Sequence, residues 1–299
     1  MREIKFTTNY EPALSFSNKD FKEKYEEKAG NNPGYAQKIN GETKHLAVCP
    51  RCNNPVVILG VYKQISVTPH ARHVRDIDIP NVAKYNEYKL LRCPYYRKQA
   101  DYIKEYVPET EEPQRRELYH LAKEHFDKAI YLLQKETGIY ITKKMAEELA
   151  ENYASFRVYN YIDATNYNIP WYLIYSFHGF PVYHMLIRKG AVIHRHVKKL
   201  GLTLKPSKVK GYDYVADYTD YVILSTNYRY RVDQTDSINE WLDFSIIQPD
   251  DAVTCTLLYV PVKRFSIQVD SYYFENLIRF ENWKKNQVLL NIAREYMGD

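Results

Sequence analysis

The stretch from Cys49 to Cys93 constrains this chain more than any other. It holds three of the four cysteines in 299 residues, as Cys49-Pro-Arg-Cys52 and Cys93-Pro, together with His70 and His73 in Pro-His-Ala-Arg-His. A zinc site gathers about four thiolate or imidazole donors at roughly 2.0–2.3 Å, and a Cys-x2-Cys knuckle supplies two of them from one short loop. The spacing predicts a Cys3His set of Cys49, Cys52, His73 and Cys93, with His70 as the alternate to His73. The β-branched runs in HLAVCPRCNNPVVILGVYKQISV predict two strands joined by the knuckle.

Four thiols are too sparse for a disulfide framework, and a paired Cys-x2-Cys in a reducing compartment points to metal binding or redox work. The redox reading is the weaker, because CPRC does not open a helix within a βαβ pattern. Cys255, alone in VTCTLLYVP, reads as a small apolar residue of a buried strand. No apolar run has transmembrane length and the opening MREIKFTTNY lacks a signal-peptide core, so a cytoplasmic protein without a membrane partner is expected.

CPRCNNPVV, one or two strands and then PHARH resemble the zinc-binding segment of CoiA-like competence proteins, over residues 45–95. The resemblance implies a nuclease-type domain beside that segment. This chain departs from the family by adding Cys93. A second nuclease reading comes from the residues themselves: His73, Asn81, Asn86 and Cys93 follow the order of a treble-clef HNH enzyme, with Tyr96 where a further cysteine would stand. A third places Mg2+ on Asp78 and Glu87 with Lys89 polarising water. No phosphate-cradling glycine loop occurs, which excludes a P-loop NTPase, and no Ser or Cys nucleophile elbow accompanies His178 or the His194-Arg195-His196 segment.

The fold class expected is α+β. A zinc-ribbon or treble-clef-like module occupies residues 1–110, a helical connector 111–156, and a tyrosine-rich, mostly antiparallel sheet with a long terminal helix 157–299. Leu118, Leu121, Ala122, His125, Ala129, Leu132 and Leu133 share one helical face between Pro113 and Gly138, and Thr142 caps the helix that follows. WYLIYSF, DYVILS, WLDFSII, CTLLYVPV and RFSIQV read as strands. YYFENLIRFENWKKNQVLLNIAREY reads as one helix.

Charge adds a second signal. The net charge of +5 is modest, but no Asp or Glu lies between Asp163 and Asp213, where Arg188, Lys189, Arg195, Lys198, Lys199, Lys205, Lys208 and Lys210 fall. A helix over AVIHRHVKKLG turns Val192, Ile193, Val197 and Leu200 inward and Arg195, Lys198 and Lys199 outward, which suits a phosphate backbone. Thirty tyrosines favour half-buried and stacking surfaces, and Tyr167, Trp171, Tyr172, Tyr175 and Tyr183 interleave with the cations as candidate platforms for unpaired bases. The acidic run that follows either lies against the basic one or gathers Mg2+ at Asp233, Asp236, Glu240 and Asp243, the solvated loop being favoured over the metal.

The expectation is a cytosolic, zinc-stabilised protein of a prokaryote or mobile element that associates with DNA or RNA in uptake, processing or antiviral defence. Its alternatives are a metal-dependent nuclease and a protein-interaction subunit of a larger complex.

Overall fold

The computed structural model describes the chain except residues 10, 63–67, 92, 97–98, 102–111, 162–163, 249–260 and 299, and except the side chains of 88, 99–101, 112–114 and 272. Asp163, Asp250, Asp251, Cys255 and most of CTLLYVPV lie outside the described residues. The chain divides into two compact units, Met1–Ala100 with Arg231–Ile238, and Asp101–Tyr230 with Asn239–Asp299. Helix and antiparallel sheet occur in both, as the α+β expectation requires. Among the described residues no helix is long and apolar enough to cross a membrane.

The first unit opens with a small ladder of β1 (Glu3–Ile4) and β2 (Leu14–Ser15), then helix α1 (Phe21–Asn31). An antiparallel meander follows: β3 (Ala36–Ile39), β4 (Glu42–Val48), β5 (Pro55–Leu59) and β6 (His70–His73). Asn40 and Gly41 both have positive φ, 50° and 78°, the backbone of a two-residue hairpin turn whose twist matches the strands. Phe21 and Tyr25, one turn apart on α1, are buried among Ile4, Leu46 and Val48. The Tyr25 hydroxyl has two carbonyl acceptors in reach, Tyr35 at 2.7 Å and Leu46 at 3.0 Å, so the ring is buried without orphaning its oxygen. A short helix, α2 (Glu87–Leu91), precedes Cys93, and β7 (Gln99–Asp101) stands at the boundary of the units.

In the second unit α3 (Glu112–Glu124), α4 (Phe126–Thr137) and α5 (Lys143–Ser155) share one hydrophobic core with residues from 158 to 297. The helices assigned to a connector are thus part of this core. Thr142 caps α5 by accepting from the Met145 amide, and Gly138 ends α4 at φ 78°, where a Cβ would stand 2.4 Å from that of Ala191. Then come α6 (Ile169–Tyr175), β8 (Phe180–Pro181), β9 (Leu186–Arg188), α7 (Val192–Lys199), β10 (Leu204–Pro206) and β11 (Tyr212–Val215). The order β10-β11-β9 makes one antiparallel sheet. A second runs β14 (Pro261–Val269), β13 (Ile238–Ile247), β12 (Val222–Val232), with β8 also on β12.

Three expected elements differ. WYLIYSF is helix, not strand: Pro170 pre-sets the first turn of α6, and Trp171, Tyr172, Leu173 and Ile174 are all buried, so the run has no polar face for periodicity to report. The helix expected through 137 breaks at His125, which places Asp127 in the first turn of α4. The terminal helix is two, α8 (Ser271–Arg279) and α9 (Gln287–Tyr296). The buried Asp127 carboxylate explains that break: it accepts from Trp283 Nε1 at 2.8 Å and from the Asn286 amide at 3.0 Å, while Asn286 caps α9 by accepting from Leu289.

Candidate metal centre

The knuckle forms because β4 and β5 pair up to Val48 and Pro55, leaving six residues to turn between them. Asn53 adopts φ 60° within that turn, its amide donating to the Cys49 carbonyl at 3.1 Å, and the Cys49 amide donates to the Asn54 carbonyl at 2.8 Å. Both cysteines thereby project to one side. His73 arrives on β6 opposite Val56 of β5, and Cys93 arrives on the turn after α2, its amide bonded to the Leu90 carbonyl.

One donor atom from each of Cys49, Cys52, His73 and Cys93 lies within 4.8 Å of the others. Cys49 Sγ is 3.6 Å from Cys93 Sγ, and Cys52 Sγ is 3.3 Å from His73 Nε2. A tetrahedral ion with arms of about 2.3 Å to sulfur and 2.0 Å to nitrogen has edges of about 3.8 Å and 3.5 Å, so these separations fit a Cys3His tetrahedron. All three cysteines are buried and free of disulfides.

The electrostatics of the sulfurs agree. Burial pushes each thiol up; at Cys49 hydrogen bonds from Cys52 and Cys93, with His73 close by, reverse this and hold it well below the ordinary thiol range. Burial and the neighbouring Cys49 keep Cys52 well above that range, and burial with Cys49 and Cys52 does the same at Cys93. Burial thus works against thiolates at Cys52 and Cys93, and a cation among the sulfurs would offset it.

His70 is excluded as a ligand by strand parity: three residues from His73, it projects from the opposite face of β6, and its Nδ1 lies 2.9 Å from the Thr68 carbonyl. Tyr96, standing where a second Cys-x2-Cys would end, packs its ring edge-on to His73 at 6.0 Å and accepts from Arg75 at 2.6 Å. Cys93 follows a helix instead of opening one, which departs from the treble-clef order. Asn54 escaped the sequence reading. Fully buried, it donates through Nδ2 to Cys52 Sγ at 3.3 Å and accepts at Oδ1 from the Asn86 amide at 2.7 Å, tying the knuckle to the start of α2.

The other carboxylate proposals do not converge. Asp78 accepts from the Tyr85 amide, and Glu87 and Lys89 lie on α2. Asp233 accepts from Thr235 and Ser237 within the β12–β13 turn, where Asp236 also lies. Glu240 is buried against Tyr228 and Ser271, and Asp243 binds Arg229. Among the described residues only the Cys3His set draws three or more such donors together.

Of the eight cations in the carboxylate-free stretch, Arg188 donates to the Lys135 carbonyl, and Lys189 pairs with Asp213 at 3.3 Å. Arg195, Lys198 and Lys199 are exposed on α7, and Lys205, Lys208 and Lys210 are exposed on β10 and the turn after it. Val192 and Leu200 are half-buried and Ile193 and Val197 fully buried, as the helical face requires. Tyr167, Trp171 and Tyr172 are buried in the core and unavailable to bases, whereas Tyr183 is exposed. No protein-family model, curated protein or solved structure matches the chain.

Proposed function

We propose that the Cys3His set of the first unit binds a structural zinc ion and that the protein associates with nucleic acid through the cations of the second unit. The single observation that carries the reading is the convergence of three buried thiols and a half-buried imidazole from three separate segments, the knuckle, β6 and the turn after α2. A catalytic zinc keeps a position for water; four protein ligands leave none, so the ion would hold these segments together and activate nothing. This weighs against the nuclease reading, in which His73 would have to be free.

The nucleic-acid half is supported by six exposed cations, none with an ion-pair partner among the described residues: Arg195, Lys198, Lys199, Lys205, Lys208 and Lys210. Lys208 and Lys210 lie in the turn whose Gly211 carbonyl accepts from the Lys189 amide, beside the start of α7. The resemblance of residues 45–95 to the zinc-binding segment of CoiA-like proteins fits a cytoplasmic role in DNA uptake, processing or defence.

Metal analysis of the purified protein tests the first half, with one equivalent of zinc expected and Cys93→Ser expected to lose it. A salt titration of oligonucleotide binding tests the second. Replacing Arg195, Lys198 and Lys199 by Ala lowers the slope of log K against log salt by about 0.9 for each phosphate of duplex DNA that is no longer neutralised. Zinc-free protein with a folded first unit, or binding indifferent to salt, refutes the respective half.

A further inference from the structure

Resting on the nucleic-acid reading, we infer that the ligand is single-stranded and that its unpaired bases stack on the outer face of the β10-β11-β9 sheet. Residues directly opposite in an antiparallel pair share a face. Lys205 stands opposite Tyr214, Tyr214 opposite Leu186, and Tyr212 opposite Arg188, so these five occupy one face. The other face turns inward: Ile187 and Val215 are fully buried, and Asp213 accepts from His194 of α7 at 3.0 Å.

The outer face is aromatic along its length. The Tyr212 ring meets Tyr140 edge-on at 5.6 Å, and Tyr214 meets His184 edge-on at 5.9 Å. His184 stacks on Tyr183 at 4.0 Å with planes 29° apart, and Tyr183 meets Tyr218 at 5.3 Å. Tyr218 is 77% exposed, and Tyr183 and His184 are exposed as well. His184 holds φ at 59°, a left-handed backbone that presents its ring outward from the β8–β9 turn. Tyr212 and Tyr214 are half-buried and Tyr183, His184 and Tyr218 exposed, so the row keeps part of its ring surface open, the kind of platform on which unpaired bases stack.

Charge selects the occupant. The three strands carry no carboxylate on this face, Lys205 lies on it, and Lys208 and Lys210 close one end. Asp213 faces the other way, toward His194, and Asp217, after β11, is engaged by the Thr203 amide at 2.6 Å. Duplex bases are already stacked on each other and offer no free π-face, so the combination fits a single strand, either DNA or RNA.

Fluorescence anisotropy with labelled oligothymidylate, oligouridylate and a dA·dT duplex at one salt concentration tests this. Both single strands, or one of them, bind more tightly than the duplex. Tyr183→Ala and Tyr214→Ala each weaken single-strand binding about tenfold, and Tyr214→Phe retains it. Lys205→Glu, on an exposed position that does not threaten folding, weakens it too, and circular dichroism confirms that each variant is folded. Duplex binding equal to or tighter than single-strand binding, or ring variants that bind like wild type, overturns the inference while leaving the nucleic-acid reading intact. Binding to no oligonucleotide ends both, and retention of a protein by this face without single-strand binding makes it a protein-docking surface instead.

Discussion

Asn54 carries a larger share of the metal centre than its chemistry suggests. Its side-chain amide donates to a sulfur that must be anionic in a zinc complex, and its carbonyl oxygen fixes the start of α2, two turns of chain before Cys93. Groups that orient metal ligands in this way change affinity by about 10–100-fold when removed. Asn54→Ala therefore weakens zinc by that factor in competition with a chromogenic chelator, while Asn53→Gly, at a left-handed position that glycine tolerates, leaves affinity near wild type. The donors themselves were legible because few roles besides metal binding bring three thiols and an imidazole into so short a window. His73 was the sequence's first choice and His70 its alternate; what removes His70 is its place on the opposite face of β6, which only the strand reveals. Asn54 was hidden for a related reason: its partner is thirty-two residues away and only the fold brings it close.

At the scale of elements, polar contacts decide where the chain bends. Asp127 is buried and satisfies Trp283 Nε1 and the Asn286 amide at once, so α8 and α9 cannot merge without orphaning it. Asp127→Ala leaves two donors without their acceptor and costs about 2–4 kcal/mol, read as a lower Tm with a red-shifted Trp283 emission. The anchor of α7 has a pH dependence of its own. Burial pushes the Asp213 carboxyl up, but hydrogen bonds from His194 and Lys189 more than reverse this and hold it below its ordinary 3.8. Because the folded value is the lower one, its stabilisation is complete above the unfolded value and is lost as pH falls through the folded one. Melting curves of wild type and Asp213→Asn accordingly differ at neutral pH and draw together as pH falls through the folded value of Asp213. Amphipathic α5, α7 and β14 were readable because each has an exposed and a buried face, and β13 because its apolar run is short and bounded by turns. The α6 run was not, because a wholly buried helix and a buried strand share one pattern. The Asn40-Gly41 hairpin stood in the sequence as a strong local signal and went unread.

For the molecule as a whole, the two units draw stability from different sources. The second has a continuous core of helices and sheet that includes Phe126, Leu133, Trp171, Phe244 and Phe274, with no cluster of metal-binding side chains among its described residues. The first builds its core around the sulfurs, with Cys49, Cys52 and Cys93 among its buried residues. Without a cation, burial disfavours the thiolates of Cys52 and Cys93, and packing alone holds the three segments together. Structural zinc contributes about 10–16 kcal/mol of apparent binding energy in small modules, comparable to the whole stability of a domain this size. Sequence reading placed the ion in the first unit but assigned α3 to α5 to a connector, since helical periodicity identifies a buried face without naming what buries it. The division predicts an asymmetric response to chelation. Zinc removal at neutral pH raises amide exchange through β4, β5, β6 and the turn at Cys93 while α4 and α5 keep their protection, and readdition restores the slow pattern. Uniform exchange loss in both units would make the ion a support of the entire chain, and no loss in either would reduce the four donors to a chance gathering of buried side chains.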